Sequence, residues 1–221
     1  MNRLLIAGAA AIALIAGAVW WMTQSRVPEG DPTAQTEEAA WEDIDTSGIV
    51  EMTMGPEDAE VTVTEYASFT CPHCADFHET QFKKLKSEYI DEGKIRFVYR
   101  DVYFDQLGLW ASMVARCGGE EKFFGIADMI YDQQRDWIGE GDPVQAGDAL
   151  RKIGRAAGLD AETVNACLEN EEQARTLVAW FRQHAEADDI DSTPTILING
   201  EKYGNMSYSD LSRLIDEKLA E

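Results

Sequence analysis

Apolar and polar residues alternate in some segments of the chain and follow a helical period in others. The segment Val61-Thr62-Val63-Thr64-Glu65-Tyr66 alternates and is rich in β-branched residues, which predicts a strand. After it, apolar residues recur mostly every three or four positions, which predicts one helix face formed by Phe77, Phe82, Leu85, Tyr89 and Ile90. This helix is predicted to run from Pro72 to about Asp91, where Gly93 ends it. A strand over residues 94–100 would complete a parallel strand–helix–strand crossover.

The pattern is helical from about residue 105 to residue 188, and no strand signal interrupts it. The predicted helices, separated by breaks that contain glycine, proline or asparagine, are Gln106–Cys117, Glu120–Gln134, Val144–Ala157, Asp160–Leu168 and Glu171–Ala187. The chain is therefore predicted to leave its sheet for a long helical insertion and to return to it afterwards.

Shorter strands are predicted on both sides of these elements. Ile49-Val50-Glu51-Met52 predicts a short first strand. Beyond the helical stretch, Thr195–Ile198 is rich in β-branched residues, and Asn199-Gly200 is a strong hairpin signal before a partner strand, Glu201–Tyr203. A last helix over Tyr208–Leu219, capped by the serine before it, would close the fold.

The first 22 residues have the pattern of a targeting segment. A single basic residue, Arg3, precedes an uninterrupted apolar run from Leu4 to Met22, and Ala16-Gly17-Ala18 offers a small-residue cleavage site. The run is also long enough to span a bilayer, so a cleaved signal peptide and an uncleaved membrane anchor both remain open. Residues 23–40 predict a flexible acidic tether before a folded part that begins near residue 41.

Composition limits the partners of such a chain. Its 221 residues fit one domain with an insertion. The sequence carries 41 acidic and 19 basic residues, a formal net charge of −22. This excess of negative charge argues against nucleic acid or an anionic membrane surface as a partner.

The candidate chemistry lies where the predicted strand meets the predicted helix, in Cys71-Pro72-His73-Cys74. Pro72 fits the first helical position, where its missing N–H costs nothing, so Cys71 is placed just before the helix. The N–H groups of His73 and Cys74, together with the His73 ring, are candidate donors that would stabilise a thiolate there and lower its pKa. Cys74 is predicted to be less exposed, and this asymmetry suits thiol–disulfide exchange.

Other uses of a Cys-x-x-Cys pair remain open from the residues alone. Haem attachment is excluded because Ala75, not histidine, follows the second cysteine. A three-ligand metal site of Cys71, Cys74 and His78 is one alternative, and a structural disulfide that never turns over is another. Outside the motif, His78 and His184 are more typical of surface or helix-packing positions. The sequence has no Ser–His–Asp order, phosphate loop or paired-carboxylate hydrolase pattern.

One acidic residue lies close to the motif in the sequence. Strand alternation puts Glu65 on the same face as Val61 and Val63. A half-buried acid near the cysteines would be able to take up or stabilise a proton during exchange, and a solvated strand glutamate is the alternative.

A second pair of cysteines, Cys117 and Cys167, lies near predicted helix ends in the helical stretch. An even number of cysteines in an exported chain predicts a structural disulfide between them. Two buried free thiols are the alternative.

Two segments of the sequence resemble the DsbA-like thiol-disulfide oxidoreductases. Glu65-Tyr66-Ala67-Ser68-Phe69-Thr70-Cys71-Pro72-His73-Cys74 closely resembles the active-site segment of that family. Ser192-Thr193-Pro194-Thr195-Ile196-Leu197-Ile198-Asn199-Gly200 resembles its cis-proline loop and the hairpin that follows. The resemblance covers roughly Ile49 to the C-terminus. It implies an α/β thioredoxin fold, a central mixed β-sheet flanked by helices, with an inserted all-helical domain.

The resemblance also implies roles for single residues. Pro194 would be cis and face the Cys-x-x-Cys pair, and the backbone of Thr193 would pair with an extended substrate. An acid at the position of Glu65 is common in the family. Most of the best-known disulfide donors carry Val before the cis-proline, whereas this chain has Thr193.

We therefore predict an exported thiol-disulfide oxidoreductase, needing no cofactor, that introduces disulfide bonds into folding proteins. Its partners would be exported proteins with cysteines and, by the resemblance, a quinone-linked membrane oxidase. It would lie in the periplasm, either soluble after cleavage or tethered to the inner membrane by residues 4–22. A reductase or isomerase with the same centre is the first alternative. A metal-binding module using Cys71, Cys74 and His78 is the second.

Overall fold

The structure, a computed structural model, describes Trp41 and residues 43–221. The predicted targeting segment, Met1–Met22, and the predicted tether, Thr23–Ala40, lie outside the described residues. Within the described part of the chain, no helix is both long enough and apolar enough to cross a bilayer.

A mixed sheet of five strands, in the order β1-β3-β2-β4-β5, lies at the centre of the described residues. The strands are β1 (Met52–Met54), β2 (Val61–Ala67), β3 (Ile95–Asp101), β4 (Thr195–Ile198) and β5 (Glu201–Tyr203). Strands β2 and β3 run parallel, and the other neighbouring pairs are antiparallel. In the central strand, Val63 pairs with Phe97 on one side and Ile198 on the other. This strand is buried along nearly its whole length, so both of its faces are covered.

Helices flank this sheet. Helix α1 follows β2 in four consecutive segments, which are α-helical Pro72–Phe77, π-helical His78–Phe82, α-helical Lys83–Leu85 and π-helical Lys86–Ile90. The other helices are α2 (Gln106–Cys117), α3 (Gly119–Asp132), α4 (Gln134–Ile138), α5 (Pro143–Ala156), α6 (Ala161–Leu168), α7 (Glu171–Ala187) and α8 (Tyr208–Leu219). Gly93 follows α1 with a positive φ of 68°, a conformation that suits the glycine predicted to end this helix. Helices α2 to α7 all lie between β3 and β4 in the chain, so the predicted fold class is confirmed.

The predicted position of the first strand is wrong. It spans Met52–Met54 rather than Ile49–Met52. The strand is defined by its antiparallel pairing with Phe97–Tyr99 of β3, and a segment this short carries too little alternation to reveal that register.

The predicted helix Glu120–Gln134 is also wrong at its end. Helix α3 stops at Asp132, and a separate helix, α4, begins at Gln134. Between them, Gln133 has φ −106° and ψ 15°, outside the helical conformation. Neither glycine nor proline marks this break in the sequence, so the local pattern could not show it.

A buried ion pair joins the helical insertion to the sheet. Arg116 of α2 donates from Nε and Nη2 to one carboxylate oxygen of Asp101, at the end of β3, over 3.0 and 2.7 Å. Its Nη1 also donates to the carbonyl of Val50 over 2.9 Å. Because removing one partner leaves an uncompensated buried charge, breaking such a pair costs about 3 to 5 kcal/mol.

One hydrophobic core continues from the sheet into the insertion. It includes Val63 and Phe97 from the sheet, Phe77 from α1, and Phe123 and Ile130 from α3, all buried. The insertion therefore packs on the strand–helix–strand unit that carries the cysteine motif, and does not form a core of its own.

Candidate active site

The cysteine motif lies at the junction of β2 and α1. Cys71 is the N-cap residue of α1, in an extended conformation with φ −80° and ψ 119°, and Pro72 occupies the first helical position. Both Cys71 and Cys74 are free thiols. Cys71 is 8% exposed, whereas Cys74 is completely buried. One sulfur is therefore accessible at the helix start, and the other lies beneath it.

The two thiols differ in acidity. A hydrogen bond from the Cys74 thiol is the largest influence that lowers the pKa of Cys71, to about 5. Thr193 and the backbone N–H groups of Cys74 and His73 act in the same direction, against the effect of burial. Burial is the main cause that raises the pKa of Cys74, with contributions from Cys71 and Glu65. At neutral pH the less deeply buried sulfur, that of Cys71, is thus favoured as a thiolate and that of Cys74 as a thiol, in line with the predicted asymmetry.

The proline loop faces the accessible sulfur. The Thr193–Pro194 peptide bond is cis, and the Cys71 thiol donates to the Thr193 carbonyl over 3.5 Å. The hydroxyl of Thr193 is buried and has no hydrogen-bond partner when Cys71 is a thiol. Once Cys71 is ionised, this hydroxyl can donate to the sulfur. That hydrogen bond stabilises the thiolate, so Thr193 lowers the pKa of Cys71.

A buried pair of opposite charge lies on β2 and α1, below the motif. Glu65 is completely buried, more than the half-buried position predicted from alternation. Its Oε2 lies 3.0 Å from Nε2 of His78. Of the two positions predicted for His78, surface or helix-packing, the structure has the second, because the ring is only 3% exposed and stacks on Tyr131 with ring centroids 4.2 Å apart.

His78 carries a positive charge at neutral pH. Burial disfavours that charge, but the Glu65 carboxylate and Asp128 outweigh burial and raise the pKa of His78 to about 9. Nδ1 of His78 lies 4.0 Å from Oδ1 of Asp128, whose side chain is 46% exposed. A chain of charged groups therefore leads from Glu65 through His78 to solvent. His78 also opens the first π-helical segment of α1, a kind of distortion that is frequent at functional sites.

The helical insertion holds the turn before Cys71 by its side chains. Gln134, at the start of α4 and only 6% exposed, donates from its amide nitrogen to the carbonyls of Phe69 and Cys71, each over 2.9 Å. On the other side, the Thr70 hydroxyl donates to Asp105 over 2.8 Å. The sequence contains no sign of this role for Gln134, because nothing local connects it to Cys71, 63 residues earlier.

The remaining histidines have different positions. His73 is exposed between the cysteines and supplies its backbone N–H to Cys71, and a role for its ring stays a prediction. His184, in α7, contacts the carbonyl of Trp180 over 2.9 Å in its own helix. Within residues 43–221, no three His, Cys, Asp or Glu side chains are grouped to hold a metal ion. The histidine of the three-ligand alternative, His78, is instead paired with Glu65.

The other two cysteines, Cys117 and Cys167, form a disulfide with Cα atoms 5.9 Å apart. It connects the C-terminal end of α2 to the last turn of α6. This bond is part of the insertion and is separate from the motif at the start of α1.

Comparison with known proteins places this arrangement in a family. A family model described as Thioredoxin matches residues 47–217, more than half of the chain. The crystal structure of alpha-DsbA1 from Wolbachia pipientis superposes with a TM-score of 0.70 at 25% identity, over 77% of this chain and 91% of that one. This chain is a DsbA-like member of the thioredoxin superfamily.

Two sequence relatives of this DsbA-like chain carry names that describe disulfide chemistry. A candidate protein-disulfide oxidoreductase of Rickettsia bellii is 34% identical over 172 residues, which are 77% of this chain and 65% of the relative. Disulfide bond formation protein D of Bacillus subtilis is 25% identical over 181 residues, which are 75% of this chain and 76% of the relative. The chain spans less than two thirds of the Rickettsia relative's length.

Proposed function

We propose that the DsbA-like chain is an exported thiol-disulfide oxidoreductase that donates its Cys71–Cys74 disulfide to folding proteins. The observation that carries this proposal is the placement of the two sulfurs, since Cys71 is the N-cap residue of α1 beside the cis Thr193–Pro194 bond and Cys74 is completely buried. This placement lowers the pKa of Cys71 to about 5 and raises the pKa of Cys74. A stable Cys71 thiolate favours the reduced enzyme, and a low thiol pKa makes Cys71 a good leaving group. Both effects drive the disulfide toward the substrate.

The exchange takes two steps. A substrate thiolate attacks Sγ of Cys71 in the oxidised enzyme, the bond between Cys71 and Cys74 breaks, and Cys74 leaves and takes up a proton. The second substrate thiolate then attacks the substrate sulfur of the mixed disulfide and releases Cys71 as a thiolate. The enzyme gains two electrons and one proton, and the substrate loses two electrons and two protons.

The buried pair supports the first step. Cys74 leaves in a site without exposure to solvent, where a thiolate is costly, so its protonation must be fast. Glu65 takes up or releases this proton, and His78 balances the buried carboxylate between transfers. The weaker contact of His78 with Asp128 gives the proton a path to water.

Substrates of this centre are exported, cysteine-containing chains in an extended conformation. Such a chain would pair with the backbone of Thr193 next to the cis-proline, as an added strand does. A quinone-linked membrane oxidase would restore the disulfide. Residues 4–22 would either direct export or tether the protein to the inner membrane, and in both cases the activity would lie in the periplasm.

A reductase or isomerase is the second candidate. Thr193 favours a reductase or isomerase, because most of the best-known disulfide donors carry Val at this position. Both functions use the same atoms and differ in the direction of net transfer, which the reduction potential decides.

The test mixes the oxidised protein with an equimolar reduced, unfolded ribonuclease in the absence of other oxidants. A donor forms ribonuclease disulfides as Cys71 and Cys74 become reduced, in equal amounts, and this is the expected result. The control is the protein alkylated at both thiols, which should transfer nothing. A protein that leaves ribonuclease reduced but catalyses reduction of insulin by a thiol would be a reductase.

A further inference from the structure

Gln134 is a side chain of the insertion that bonds to the backbone of Cys71. Its amide nitrogen donates one hydrogen to the Cys71 carbonyl and the other to the Phe69 carbonyl, each over 2.9 Å. Carbonyl oxygens only accept, so both contacts require the NH2 group of the amide and use its two hydrogens. A buried amide with both donors used in this way fixes the positions of the two carbonyls firmly.

The Cys71 carbonyl also takes part in the first turn of α1, where it accepts from the Ala75 N–H over 3.2 Å. With Gln134 on the same oxygen, the peptide plane after Cys71 is held from two directions. This plane sets ψ of Cys71, 119°, and so helps to fix where its sulfur lies relative to the helix start. There the backbone N–H groups of His73 and Cys74 lower the pKa of Cys71. The hydrogen that Gln134 donates to the Cys71 carbonyl also offsets the partial negative charge of that oxygen, which belongs to the same residue as the thiolate.

We propose that Gln134 is a positioning residue of the redox centre, through which the helical insertion stabilises the Cys71 thiolate and raises the reduction potential. The inference rests on thiol–disulfide exchange at Cys71 and Cys74. It makes the insertion part of the redox machinery as well as a cover for the sheet. Gln134 touches no reacting atom and acts only through the backbone of the turn.

The turn keeps a second anchor when Gln134 is changed. The Thr70 hydroxyl donates to Asp105, which also caps α2 by accepting from the Gly108 N–H over 2.8 Å. Phe69 remains buried against the ring of Tyr131, with centroids 4.9 Å apart. A variant at position 134 should therefore fold, with a less well held Cys71.

The test compares Gln134→Met with Gln133→Met in the full chain. Methionine has a similar length and no donor. Gln133 is the neighbouring exposed glutamine, and its amide donates only to the Met129 carbonyl in its own helix, over 3.1 Å. For each protein we would measure the Cys71 thiolate by its absorbance at 240 nm against pH, and the Cys71–Cys74 equilibrium with glutathione.

We expect Gln134→Met to raise the pKa of Cys71 and to lower the equilibrium constant for the reduced form about 3- to 10-fold. The reduction potential would become about 15 to 30 mV more negative. Gln134→Glu keeps the shape and places oxygens against the two carbonyls, so it should shift both quantities further in the same direction. Gln133→Met should match the wild-type protein in both.

A role in folding alone gives another result. In that case Gln134→Met would lower the free energies of unfolding of the oxidised and reduced forms equally. The pKa of Cys71 and the reduction potential would stay unchanged, and this result would overturn the inference. The role of Gln134 is judged by the difference in potential between the variant and the wild-type protein, whatever the wild-type value is. A wild-type potential near −270 mV would therefore refute the proposed donor function without deciding the role of Gln134.

Discussion

The molecule holds two pairs of cysteines at opposite ends of helices. Cys71 precedes the first turn of α1, where free N–H groups and the positive end of the helix dipole favour a thiolate. Cys117 is the last residue of α2, and Cys167 lies in the last turn of α6, where carbonyls and the negative end of the dipole disfavour one. The same side chain is thus suited to exchange in one place and to a lasting bond in the other.

The surroundings of the two pairs differ as well. The reactive pair is contacted or influenced by groups from β2, α4 and the cis-proline loop, through Glu65, Gln134 and Thr193. The structural pair closes a 50-residue separation between two helices of the insertion. The reactivity of Cys71 and Cys74 depends on several groups from distant parts of the chain. The structural disulfide needs only a suitable distance between two helix ends.

Replacing one reactive cysteine has the largest expected effect, a loss of thiol–disulfide exchange that replacing the structural pair should not cause. Cys71→Ser cannot form the mixed disulfide, so the rate of exchange with a dithiol peptide should fall by more than about 1,000-fold. Cys74→Ser, given the oxidised form of the same peptide, should instead form a mixed disulfide as the Cys71 thiolate attacks the peptide disulfide and displaces one peptide thiolate, a species visible by mass spectrometry without reductant. The matched control, Cys117→Ala with Cys167→Ala, should exchange at the wild-type rate. A loss of exchange in that control would contradict the division of roles.

The same double variant measures the structural pair. For a 50-residue separation, loss of the cross-link should lower the free energy of unfolding by about 4 kcal/mol in the chain-entropy account. Urea unfolding of the oxidised proteins gives this value, and non-reducing peptide mapping of the wild type checks that the bond forms. The potential of Cys71–Cys74 should not change. A parallel shift in that potential would mean that the two pairs are coupled.

The next largest effect is expected from breaking the buried ion pair of Glu65 and His78. His78→Leu leaves the Glu65 carboxylate buried without its partner and should cost about 3 kcal/mol of unfolding free energy. Because the pKa of His78 is raised to about 9, its stabilisation is complete below about pH 6.5 and is lost as pH rises through 9. The difference between wild type and variant should therefore shrink at alkaline pH.

A double variant separates the ion pair from the packing of the ring. Glu65→Leu with His78→Leu removes both charges and should recover most of the lost stability. If the double variant is as unstable as His78→Leu alone, the charge of Glu65 is not the cause.

The smallest expected effect is a pH dependence confined to the reduced form. The pKa of Cys71 falls from about 8.5 in an unfolded chain to about 5 in the fold. The stabilisation is complete above about pH 8.5, declines as pH falls, and is gone below 5. Between pH 5 and pH 7 the reduced form should gain about 2 kcal/mol relative to the oxidised form. Equal pH profiles for the two forms would show that Cys71 is not ionised.

Much of the fold could be predicted from local pattern. The alternation of β2, the apolar face of α1 and the Asn199-Gly200 turn are short-range signals, and the structure has those elements where the pattern puts them. The resemblance supplied the meaning of the distant Pro194. The break at Gln133 has no local signal, because it is tertiary contact that holds the next residue in place.

The site was less predictable than the fold. The pattern placed Glu65 on a strand face but did not show that His78, one turn after Cys74, would turn inward to meet it. His78 also opens a π-helical segment, for which the sequence has no signal. The contact of Gln134 with Cys71 is equally invisible, since it joins residues 63 positions apart. The groups that shift the pKa values of a site are brought there by tertiary packing, which joins residues far apart in the sequence.

The reduction potential of Cys71–Cys74, measured by equilibration with glutathione buffers, tests the account most directly. A thiolate with a pKa of about 5 lies between those of DsbA and thioredoxin, so we predict a potential between about −200 and −120 mV. That value means that the helix start makes this pair a disulfide donor while Cys117–Cys167 stays closed. A potential near −270 mV would contradict the account and make the protein a reductase.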